Sequence, residues 1–116
     1  MRRTGSRRSL RLGDAIMREI AELLEEKVQD PRLNLVTVSG VRVNADLRVA
    51  EVLYTAGGGE ERMAEAAQAL AKAAPFLRRE LASRLDMRRL PELRFVRDVF
   101  LEDVVYAGQD DSPTDT

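Results

Sequence analysis

From Ser9 to Gln29 the apolar residues Leu12, Ile16, Ile20, Leu23, Leu24 and Val28 recur at helical spacing, and Asp14, Arg18, Glu22 and Glu25 fall on the other face. Asp30-Pro31 ends this helix, because proline disfavours helical geometry in the residue before it. Residues 35–43, Leu-Val-Thr-Val-Ser-Gly-Val-Arg-Val, are β-branched and predict a strand. Its alternation slips once. Val36 and Val38 share one parity, Val41 and Val43 the other, so a β-bulge is expected at Ser39-Gly40. Asn44 to Leu47 reads as a turn, and residues 48–56 as a second strand with Ala50, Val52 and Tyr54 on one side. So short a connection makes the two strands antiparallel.

Ala56-Gly57-Gly58-Gly59 interrupts the regular pattern. Glu60 to Lys72 predicts a second helix, whose alanines at 64, 66, 67, 69 and 71 allow a close approach to the sheet. Pro75 is expected to cut it. Proline is accepted at the first position of a helix, so Ala73-Ala74-Pro75 reads as the end of one helix and the start of a third. That third helix runs to about Leu85, with Leu77, Leu81 and Leu85 in line. Residues 86–92 form a loop ending around Pro91, Leu93 to Asp98 a third strand, and Leu101 to Ala107 one more helical turn. The expected organisation is a flexible basic arm at 1–8, one domain at 9–107 and a disordered acidic tail at 108–116.

Composition narrows the chemistry. A chain of 116 residues suits a single domain. It has no cysteine and no histidine, which removes thiol nucleophiles, disulfides, imidazole bases and the common zinc ligands. No cofactor or metal is expected. No apolar run nears the roughly 18 residues of a membrane span, and the basic N-terminus leads into no signal-like stretch, so a cytoplasmic protein is expected.

The net charge of −1 hides an asymmetry. Arg2, Arg3, Arg7, Arg8, Arg11 and Arg18 crowd the start against Asp14 alone; Asp98, Glu102, Asp103, Asp110, Asp111 and Asp115 crowd the end with no Lys or Arg. This points to a polyanionic partner. Only Lys27 and Lys72 of the 19 basic residues are lysine. Arginine grips phosphate bidentately, although codon bias in a GC-rich genome explains such an excess equally well.

The order α-β-β-α-α-β, with two helices meeting at a sharp break, resembles a type II KH domain, an RNA-binding α+β fold with a three-stranded sheet packed on helices. The Gly-x-x-Gly loop usual at that break is missing. More specific matches run along nearly the whole chain: Asp30-Pro31-Arg32 before a Val-Thr-Val strand, Val41-Arg42-Val43-Asn44-Ala45-Asp46-Leu47-Arg48-Val49-Ala50-Glu51-Val52 across the hairpin, Arg78-Arg79-Glu80-Leu81, and Pro91-Glu92-Leu93-Arg94-Phe95-Val96-Arg97-Asp98. On these residues the chain resembles the ribosome-binding factor A family of bacterial small-subunit assembly factors. That family carries an Ala-x-Gly helical kink in place of Gly-x-x-Gly; here the triplet is Ala73-Ala74-Pro75. The resemblance implies a monomer that binds small-subunit rRNA and the free small ribosomal subunit, alongside other assembly factors. It further implies help in late maturation and rRNA end processing, importance in the cold, and no active site.

Two basic groups are the candidate RNA contacts. One is Arg3, Arg7, Arg8 and Arg11; the other is Lys72, Arg78, Arg79, Arg84, Arg88 and Arg89 near the kink. Arg79 points away from the leucine stripe and is the best single choice, whereas the stem of Arg78 can shield the core. Phe76 reads as packing on the neighbouring helix rather than stacking on a base, and Tyr54 and Phe95 as core. Carboxylate pairs such as Glu25/Glu26 and Asp110/Asp111 have no nucleophilic or basic companion. The alternative is a protein–protein adaptor docking through its first helix; a nuclease ranks third, because most late acids lie in the tail.

Overall fold

The computed structural model describes residues 6–101. Arg3 and the rest of the expected arm up to Gly5, the end of the turn expected at Leu101 to Ala107, and the tail at 108–116 lie outside those residues. Helix α1 spans Arg7–Glu26. Ser6 opens it, its hydroxyl oxygen accepting from the Ser9 N–H at 3.0 Å, so Arg7 and Arg8 form its first turn rather than the end of an arm. Gly13 lets α1 lie close on the sheet. A Cβ there would meet the Val41 carbonyl oxygen at 2.8 Å, nearer than a carbon is tolerated.

A short 3-10 helix, Pro31–Leu33, follows; the Asp30 side chain caps it by accepting from the Arg32 N–H. Strands β1 (Val36–Val43) and β2 (Val49–Ala56) pair antiparallel, with the register shifting between Val38 and Gly40 where the valine parity slips. β3 (Glu92–Arg97) pairs parallel to β2, giving the order β1-β2-β3. A parallel neighbour needs a crossover, which α2 provides. On the helix-covered face, Val43, Ala50 and Leu93 stand abreast, as do Val41, Val52 and Phe95.

The fold is α+β, but the helix after β2 is a single element. Helix α2 runs Gly59–Arg84 with Pro75 inside it, where two helices were expected. Proline removes one backbone donor and crowds the carbonyl four residues back, a local cost that kinks a helix without having to end it. The alanines on either side favour helix strongly, and burial fixes both halves. Ala66, Ala69 and Leu70 pack with Leu33, Tyr54 and Ala56; Leu77 and Leu81 pack with Ile16, Ile20, Leu23, Val43, Ala50 and Val52. Ile16, Ile20, Leu23, Leu77 and Leu81 are fully buried, each worth roughly 1.5–3 kcal/mol of transfer free energy. No helix among the described residues is long and apolar enough to cross a membrane.

Candidate nucleic-acid interface

Two loops and the start of α1 converge at one end of the sheet. In the β1–β2 turn, the Asn44 side-chain oxygen accepts from the N–H groups of Arg48 and Val49, and Asp46 accepts from Arg48 as well. These bonds fix Arg48 at the end of the turn, directly before β2. In the α2–β3 loop, Leu85 and Met87 donate back to Leu81 and Ala82, so the chain winds tightly off the helix. Arg78 donates to the Pro91 carbonyl at 3.1 Å and ties the loop to α2. The Glu92 N–H donates to the Arg48 carbonyl at 2.8 Å and joins the two loops. Among the described residues, the non-glycine positions with left-handed backbone, Leu47 (φ 62°) and Asp86 (φ 52°), sit one in each loop. Such strain survives only where surrounding bonds impose it.

Between these loops and α1 lies an open cleft of about 1090 Å³. Arg8 lines it from α1, Arg48 from the turn, Arg78 from α2, and Arg88 and Arg89 from the loop; Leu47, Met87 and Leu90 give it an apolar floor. Its two carboxylates are Asp46 and Glu92. Glu92 is engaged elsewhere: the Arg94 guanidinium donates to it at 3.2 Å and holds its carboxyl below the usual carboxylate range. Asp46 lies 4.0 Å from Arg48. Arg8, Arg88 and Arg89 form no ion pair among the described residues. Unpaired guanidinium forks around an open, shallow surface suit phosphate oxygens, which they bind bidentately.

The other expected contacts are placed differently. Arg84 points back at α1, donating to Glu19 at 3.0 Å and Glu22 at 2.6 Å, with Glu80 4.0 Å away. The hydrogen bond to Glu19, then that to Glu22, holds its guanidinium above the ordinary range. It fastens α2 to α1. Arg7, Arg11 and Arg79 are exposed but do not line the cleft. Lys72 lies apart, in a shallow depression with Lys27, Val28, Ala69, Ala73 and Phe76. Phe76 is half-buried against the core, as expected. Ala73, Ala74 and Pro75 lie within unbroken helix, Pro75 on its exposed side.

Arg48 was not among the residues singled out from the sequence as RNA contacts. The available signal was its position two residues after Asp46 and four after Asn44, within reach of two turn-building side chains that hold its backbone N–H. No group of three potential metal ligands occurs among the described residues.

A sequence profile described as ribosome-binding factor A matches residues 8–108. Ribosome-binding factor A of Alcanivorax borkumensis is 44% identical over 106 residues, covering 90% of this chain and 77% of that protein. Its counterpart in Thioalkalivibrio sulfidiphilus is 45% identical over 91 residues, covering 78% and 70%. The crystal structure of ribosome-binding factor A from Thermus thermophilus superposes with a TM-score of 0.67 at 38% identity, covering 77% of this chain and 94% of that one. A homology model of the Thermus thermophilus protein, fitted into a cryo-EM map of a 30S complex, gives 0.64 at 39% identity, covering 76% and 92%.

Proposed function

This chain belongs to the ribosome-binding factor A family, and from that premise we propose that it binds the small ribosomal subunit by gripping rRNA phosphates in the arginine cleft, with no catalytic step of its own. The observation that carries the reading is the convergence of Arg8, Arg48, Arg78, Arg88 and Arg89 on one open surface, where all but Arg48 form no ion pair among the described residues. The relative fitted into the map of a 30S complex supports the choice of partner. Each phosphate that these arginines neutralise releases condensed counterions into solution and adds affinity that falls steeply with salt. The finer reading is a cytoplasmic monomer that favours the free, immature subunit over the finished ribosome and works beside other assembly factors. In it, holding rRNA in place promotes late folding and lets other nucleases trim the ends, a need that grows in the cold.

The test is co-sedimentation of the full chain with free small subunits, mature subunits and whole ribosomes across a salt series. Preferential, steeply salt-dependent binding to free small subunits is expected. Binding that ignores salt would favour an apolar adaptor contact instead. The affinity is also expected to be nearly flat from about pH 6 to 9, because arginine keeps its charge there and the chain has no histidine.

A further inference from the structure

We propose that the arginine cleft has a second occupant in the chain's own acidic C-terminal segment, residues 110–115, which competes with RNA for it; this rests on reading the cleft as a phosphate site. The first support is complementarity of charge. Residues 102–116 hold five acids and no Lys or Arg, whereas the rest of the chain carries 19 basic residues against 15 acidic ones. A carboxylate offers guanidinium the same pair of oxygens that a phosphate does. Arg8, Arg88 and Arg89 have no acid among the described residues to satisfy them.

The second support is reach. β3 begins at Glu92, on the lip of the cleft, and carries the chain away to Arg97, a run of roughly 17 Å at strand rise. The chain's departure from the sheet is fixed. Ser39 in the β1 bulge donates to Asp98 at 2.7 Å, and Asp98 in turn accepts from the Leu101 N–H at 3.0 Å. From Leu101, the nine residues to Asp110 span at most roughly 30 Å. That span is long enough for Asp110, Asp111 and Asp115 to meet the cleft, whereas Glu102 and Asp103 follow Leu101 too closely to do so.

Tethering supplies these carboxylates at an effective concentration of roughly millimolar. Each carboxylate–guanidinium contact in open water is weak. Extended rRNA, bringing several phosphates at once, displaces the segment; a brief contact with stray RNA does not. The segment thus raises the threshold for occupying the cleft.

Absence of native cysteine allows a direct test in the full chain. A nitroxide attached through Ser112→Cys is expected to broaden the backbone amide signals of Arg8, Arg48, Arg88 and Arg89 more than those of Arg62 or Arg79. Raising salt to about 0.5 M or adding excess poly-uridine is expected to reverse it. Uniform or absent broadening at low salt overturns the proposal. With Asp110→Asn, Asp111→Asn and Asp115→Asn combined, poly-uridine is expected to bind about 2–5-fold more tightly at low salt and equally at high salt. Tighter binding without cleft broadening would mean long-range repulsion and would sink the docked segment. The two readings fail separately: broadening without RNA competition at the cleft refutes the RNA site and leaves the docked segment standing, whereas RNA binding at an unbroadened cleft does the reverse.

Discussion

Arg84 closes the last turn of α2 with Glu19 at 3.0 Å, Glu22 at 2.6 Å and Glu80 at 4.0 Å. Four residues further on, Arg88 and its neighbour Arg89 face an open cleft and pair with no acid among the described residues. Along the chain the three lie within six residues. The turn at Leu85–Asp86 separates them, so Arg84 falls against the acids of α1 and the other two line the cleft. Charge closed by neighbours holds helices together. Charge left open is available to a partner. The difference comes from what the fold brings opposite each guanidinium.

The sharpest way to break this comparison is to remove the open set. Arg8→Ala, Arg88→Ala and Arg89→Ala together are expected to weaken small-subunit binding by about two orders of magnitude near 0.1 M salt, taking one phosphate contact per arginine, and to flatten the log–log salt slope by about two to three units. Thermal stability is expected to stay nearly unchanged, since all three side chains are exposed. A triple variant that binds normally, measured by co-sedimentation across salt, would move the footprint elsewhere on the surface.

Pro75 separates the depression holding Lys72 from the half of α2 that carries Arg78 to the cleft. Because α2 is continuous through it, Pro75→Ala restores a backbone donor inside a helix. It is expected to leave the fold intact and raise stability by up to roughly 3 kcal/mol, the interior cost of proline. Urea unfolding checks this. A loss of stability would show instead that both packed halves of α2 depend on the bend, and that straightening pulls Leu77 and Leu81 off α1.

The elements themselves were legible because their signals are local. The 3.6-residue spacing of Ile16, Ile20 and Leu23 and the parity slip of the valines each report one helix face or one strand register. Pro75 misled because the cost of proline in a helix is local, whereas the burial of Leu70 on one side and Leu77 on the other is tertiary. The cleft was half legible. Arg8, Arg78, Arg88 and Arg89 were singled out for their type, and the structure brings them together; Lys72, Arg79 and Arg84 were singled out on the same ground, and it does not. Nothing in the order of residues says that Glu19 and Glu22, more than sixty positions upstream, lie across from Arg84. Arg48 joins Arg88 only because Glu92 donates to the Arg48 carbonyl and draws the two loops together.

The closed set gives smaller effects of the opposite kind. Arg84→Ala leaves Glu19, Glu22 and Glu80 facing one another without a cation. The melting temperature is expected to drop by less than about 5 °C, as for ion pairs near a surface, while the salt slope of small-subunit binding stays as it was. A reduced slope would place Arg84 among the phosphate contacts and erase the distinction between the two sets.

The smallest effect, and the one that isolates charge from geometry, belongs to the pair at the start of the 3-10 helix. Asp30 accepts from the Arg32 backbone N–H and from its guanidinium at 2.8 and 3.1 Å. The side-chain bond to Arg32 contributes most to pulling the Asp30 carboxyl down from 3.8 to about 2. A folded-state value below the unfolded one favours folding wherever Asp30 is ionised in both states. That contribution is fully present above about pH 4 and fades as pH falls toward about 2, where the folded protein also takes up the proton. Asp30→Asn keeps one side-chain oxygen for the Arg32 N–H and removes the charge together with the second accepting oxygen. It is therefore expected to be slightly less stable than the parent at neutral pH, with the two urea midpoints converging between about pH 4 and pH 2. Its binding to small subunits is expected to be unchanged, because Asp30 does not line the arginine cleft. A stability difference that persists at pH 2 would mean that Asp30 serves Arg32 through the shape of its cap rather than through its charge, and Arg32 would then no longer count as a guanidinium closed by its acid in the way Arg84 is.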